Sequence, residues 1–238
     1  MVVGVGWPCH DEPVRRLGAR AIVVGLVVGA CSGGSGADPA APAGPEPTRP
    51  PVVTGVPGIA ASNSFCAAWS RFAGSFQVVA VASAFLTEQP DRAWELEVAA
   101  ADTVAAAHTA LAGEWPGELA DERSAVLDDT LGAYAARADA AVGHLRAAGA
   151  TDTQLAALAE AWLQALATRN PEQPDVALVL DDQLAALVRT AANQMAAGAA
   201  PLVADPALVS DAATPLTDAY LAATCPDEGL LAGGEVSG

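Results

Sequence analysis

The chain contains no lysine, only 11 basic residues against 28 acidic ones, and only 5% aromatics. Without a lysine amine there is no Walker-type phosphate grip, no Schiff-base chemistry and no Ser–Lys nucleophile pair. A formal charge of −17 argues against nucleic-acid binding, which displaces counterions with clustered positive charge. Aromatic and β-branched residues are few, and no stretch alternates apolar with polar positions as a half-buried strand would. Alanine is what the chain has in excess, 58 of 238 residues, and it favours helix above every other residue. The length fits a single domain with appendages.

The appendages come first. Arg15, Arg16 and Arg20 form a basic region ahead of the apolar run Ala21–Val28, which stops at the small residues Gly29 and Ala30. That run is far short of the roughly 20 apolar residues a membrane span needs, and its layout is that of a secretory signal peptide over residues 1–30. Val28-Gly29-Ala30-Cys31 resembles the lipobox of bacterial lipoproteins: an aliphatic residue, two small ones, then cysteine. The resemblance implies cleavage before Cys31, diacylation of its sulfur and a lipid anchor at the extracytoplasmic face of the cell membrane. Residues 1–13, with Trp7, Cys9, His10 and two acids, fit a signal poorly; translation starting at Val14 would give an ordinary basic start. Cys9 and His10 fall in the cleaved leader on either start. Residues 31–58 form the lipidated cysteine and a Pro/Gly/Ala-rich tether, whose composition buries no core.

Residues 59–228 read as helices, with a flexible tail at 229–238. Phe65, Trp69, Phe72, Phe76, Val79, Ser83 and Leu86 put one apolar stripe on a first helix, expected to be central. Leu96–Leu111 gives a second stripe after Pro90, and a third helix is expected to run from Pro116 to Gly149. Thr151-Asp152-Thr153-Gln154 has the capping-box pattern and opens a fourth, ended at Asn170-Pro171. A fifth is expected from about Asp175 towards Gly198, and Thr214-Pro215 opens a short sixth. The expected fold is all-α, an antiparallel bundle of about five to six helices.

With Cys9 cleaved and Cys31 lipidated, Cys66 and Cys225 remain. An even pair in an exported chain points to a disulfide, which makes the first and last helices neighbours. The openings Phe65-Cys66-Ala67-Ala68-Trp69 and Tyr220–Pro226 resemble small exported helical domains of high-GC Gram-positive bacteria, most of which have no assigned activity.

Chemistry-bearing motifs are scarce. The residues three before His108 and His144 are Ala105 and Ala141, which excludes the Glu-x-x-His pairs of a helical di-iron site. No His-Glu-x-x-His, Cys-x-x-Cys or Gly-x-Ser-x-Gly pattern is present, and no cofactor is implied. The acid pairs Asp121-Glu122, Asp128-Asp129 and Asp181-Asp182 read as solvated faces. Residues 31–238 hold 8 arginines against 26 acids, a balance of −18, and Arg123, Arg137, Arg146 and Arg189 have no acid at helical spacing. The expected function is therefore a membrane-anchored, non-catalytic extracytoplasmic lipoprotein that binds a partner protein or supports envelope assembly, with no nucleic acid involved. The alternative is a carrier of a lipid or other apolar ligand in a cavity lined by Trp69, Phe72, Phe76, Trp94, Trp115 and Trp162.

Overall fold

The computed structural model describes residues 55–210 and 212–225. The signal segment 1–30, Cys31, most of the tether and the tail 229–238 lie outside the described residues. Six α-helices and no strand make up the described chain: α1 Ser64–Phe85, α2 Pro90–Gly113, α3 Gly132–Ala147, α4 Asp152–Thr168, α5 Asp182–Ala196 and α6 Pro215–Thr224. The all-helical expectation holds.

α2, not α1, is the central helix. It packs against α1, α3, α4 and α5. Val98, Ala99, Ala100 and Ala101 are all buried, and four consecutive helical positions point to all sides of the axis. Alanines on every side let the neighbouring helices approach closely. The sequence favours α1 for this place because its aromatics make the more conspicuous stripe. α1 itself has a mean hydropathy high enough to cross a membrane, but 61% of its most apolar stretch is buried inside the bundle.

Two helix boundaries differ from expectation. The region expected as one helix from Pro116 breaks into a 3-10 segment, Gly117–Glu122, and a π-helical turn, Ala125–Thr130, before α3. Glycines at 117 and 132 favour helix weakly, and the wide π turn is held by Thr130 Oγ1 donating to the Ala125 carbonyl at 2.9 Å. His108 Nε2 lies 3.1 Å from the Leu127 carbonyl in the same turn. α5 begins seven residues after Asp175, at Asp182, because Asp181 accepts the Leu184 N–H as N-cap at 2.8 Å. Asp175 is engaged elsewhere: its carboxylate takes Arg92 Nε at 3.1 and 3.2 Å and its own Val176 N–H at 2.7 Å.

Packing starts ahead of α1. Val56 is buried, its N–H bonded to the Leu166 carbonyl of α4 at 2.9 Å. It sits against Gly74, where an added Cβ would come within 2.5 Å of Val56 Cγ1. Glycine at 74 is therefore a requirement of this close approach.

Cys66 and Cys225 form a disulfide with Cα atoms 5.6 Å apart, tying the start of α1 to the end of α6. Around it Phe65 meets Trp115 and Tyr220 edge-on, each at 5.6 Å, and Trp69 at 6.3 Å. The first and last helices are neighbours at this end.

Candidate functional site

The most concentrated polar arrangement among the described residues surrounds Arg137 on α3. Its Nε pairs with Glu97 of α2, and Nη2 donates to the second Glu97 oxygen at 3.1 Å. Nη1 donates to Asp205 Oδ2 at 2.8 Å and Nη2 to the Ala200 carbonyl at 2.8 Å. The guanidinium also lies over Trp94, 5.4 Å from the ring centroid. Arg137 and Glu97 side chains are only 9% and 10% exposed, so this group is shielded from water.

The site carries one positive and two negative charges. Burial pushes the Glu97 carboxyl above its ordinary pKa, the Arg137 contacts pull it back only in part, and the Asp205 charge adds to the rise. Burial works against the Arg137 charge, yet hydrogen bonds and attraction from Glu97 and Asp205 outweigh it and raise its pKa. Tyr134, one turn before Arg137, donates to the Leu208 carbonyl at 3.1 Å; burial and the Asp205 charge raise its phenol. Its ring meets Phe76 edge-on at 4.3 Å.

No local signal marks this group. Glu97 and Asp205 lie forty and sixty-eight residues from Arg137. Of the other arginines that lack helical-spacing acids, Arg189 pairs with the distant Glu95 at 3.7 Å, Arg146 with Asp152 six residues on at 2.9 Å, and Arg123 donates to the Ala112 carbonyl at 3.2 Å. Two of the acid pairs read as solvated faces also supply caps. Asp181 caps α5, and Glu122 accepts the Leu216 N–H at 3.0 Å and both the N–H and hydroxyl of Thr217 at 2.8 Å, closing the start of α6.

The six aromatics expected to line a cavity do not gather in one place. Trp162 is fully buried and Phe72 nearly so; Trp162 Nε1 donates to Ser75 Oγ at 2.9 Å. Trp69 and Trp115 belong to the cluster beside the disulfide, where Trp115 Nε1 donates to the Leu119 carbonyl at 2.8 Å. Phe76 and Trp94 stand on either side of the Tyr134–Arg137 group. A cavity of about 130 Å³ lies instead between Arg92, Glu95, Leu178, Leu180, Val188 and Arg189. Among the described residues, no group of three or more His, Cys, Asp and Glu side chains is placed to hold a metal ion.

No protein-family model matches the chain, and neither does any curated protein or any solved structure.

Proposed function

We propose that this chain is a lipoprotein, held by lipid on Cys31 at the extracytoplasmic face of a bacterial cell membrane. Its helical domain is non-catalytic and binds a partner protein or supports assembly of the envelope. The observation that carries the reading is the order basic region, apolar run, Val28-Gly29-Ala30-Cys31, then tether. The Cys66–Cys225 disulfide agrees with an oxidising compartment. A balance of −18 over residues 31–238 keeps the domain away from anionic headgroups, which leaves attachment to the lipid.

The carrier reading draws less support. The cavity beside Arg92 and Glu95 is lined by none of the six aromatics, and the Trp162 indole N–H is already taken up by Ser75.

The test is metabolic labelling with an alkyne palmitate in a bacterial host that processes lipoproteins. The wild-type chain is expected to take the label and partition into detergent, and Cys31→Ala to do neither. Label retained by Cys31→Ala overturns the reading.

A further inference from the structure

Residues 198–210, between α5 and α6, contain two short 3-10 turns, Leu202–Ala204 and Pro206–Leu208. The first lies against α1 and the second against α3, so the segment bridges two helices that flank α2. Its main-chain N–H groups bond locally: Ala204 to the Pro201 carbonyl at 2.9 Å, Leu208 to the Asp205 carbonyl at 3.2 Å and Val209 to the Pro206 carbonyl at 3.4 Å. Gly198 and Ala199 still bond to the Met195 carbonyl at the end of α5, at 3.1 and 2.9 Å; from residue 200 onwards the bonds to the bundle run through bundle side chains. Arg137 takes the Ala200 carbonyl and the Asp205 carboxylate, Tyr134 takes the Leu208 carbonyl, and Thr130 meets Ser210 at 3.2 Å. Leu202 is buried beneath, whereas Val203 and Val209 face outward, 54% and 75% exposed.

This is how a protein grips a peptide. Two of the bonds go to backbone carbonyls that any peptide offers, and one goes to a single carboxylate, the only charge between residues 198 and 210. Glu97 fixes one edge of the Arg137 guanidinium and thereby aims the other at that carboxylate. Phe76, Tyr134 and Trp94 supply apolar surface alongside. Because the segment keeps its own turn bonds, lifting it would cost the side-chain bonds just named and the burial of Leu202, and would leave the bonds within the helices intact. Its ends stay attached to α5 and, through α6, to the disulfide.

We propose that residues 198–210 are an autoinhibitory strap, and that the Arg137–Tyr134 surface beneath it docks a turn-forming peptide of a partner protein bearing one aspartate between apolar residues. This rests on the partner-binding reading above and names the surface and the chemistry it recognises. Asp205 is then the internal occupant of the partner's place.

The experiment uses the full chain and a fluorescein-labelled peptide with the sequence of residues 199–210, followed by anisotropy. Asp205→Ala removes the latch. It is expected to raise amide exchange across the strap and to bind the peptide at least about tenfold more tightly than wild type, whose site is open in only a small fraction of molecules. The same peptide carrying Asp205→Asn is expected to lose that binding. Ser210→Ala, which takes the Thr130 contact from the strap and leaves the docking surface intact, gives an intermediate affinity and serves if Asp205→Ala fails to fold. Equal affinity of wild type and both variants, or no saturable binding to any of them, overturns the proposal. Cys31→Ala leaves the titration unchanged, so failure here and failure of lipid anchoring are separate results.

Discussion

Trp162 of α4 and Ser75 of α1 meet across the core, indole N–H to hydroxyl at 2.9 Å, and both residues are fully buried. A buried indole N–H needs an acceptor, and Ser75 gives the apolar stripe of α1 its reason for a polar residue. Ser75→Ala keeps the volume nearly unchanged but orphans that donor, at a cost of about 1–3 kcal/mol. The urea midpoint is expected to fall accordingly. Trp162→Ala removes the largest fully buried side chain and is expected to cost about 3–5 kcal/mol.

Much of the helical plan was legible because its signals are local. Thr151 and Gln154 form the expected capping box, with Gln154 N–H to Thr151 Oγ1 at 3.3 Å and Thr151 N–H to Gln154 Oε1 at 3.0 Å. Gly149 takes a positive φ of 101° where the third helix was expected to close. Pro90 stands at the first turn of α2. What the local pattern could not carry was competition between distant groups. Asp175 reads as a helix opener until Arg92, eighty-three residues earlier, claims its carboxylate. Arg137 reads as an unpaired surface charge until folding brings Glu97 and Asp205 to it. The central place of α2 was hidden for a similar reason: alanine is apolar enough to be buried on any face, so an alanine-rich helix shows only a faint stripe.

Glu122 and Glu97 pull stability in opposite directions with pH. Burial works to raise the Glu122 pKa, but bonds from the Leu216 N–H, the Thr217 N–H and the Thr217 hydroxyl outweigh it and lower it. A depressed carboxylate contributes stability that is present above its unfolded pKa and lost as pH falls through the folded value. The stability difference between wild type and Glu122→Gln is therefore expected to be largest near neutral pH and to shrink on acidification. A difference that grows towards acid contradicts the assignment. Glu97, raised by burial, contributes stability that is full below its unfolded pKa and lost as pH climbs through its folded value.

The disulfide closes a separation of 159 residues. In the chain-entropy model a loop of this size constrains the unfolded chain by about 5 kcal/mol. Replacing both cysteines, Cys66→Ser with Cys225→Ser, is expected to lower the free energy of unfolding by that order, read as a lower denaturant midpoint. Because both cysteines are buried, reduction of the native protein is expected to wait on local opening of α6. Urea melts of the oxidised and doubly substituted chains compare the first, and thiol trapping against time measures the second.

The lipid anchor is tested most directly by intact-mass measurement of the protein recovered from bacterial membranes, with its N-terminal peptide sequenced by fragmentation. The expected result is a mature chain beginning at Cys31 and carrying the mass of a diacylglyceryl group on that sulfur. A chain still beginning upstream of Cys31, or one beginning there with a free thiol, contradicts it.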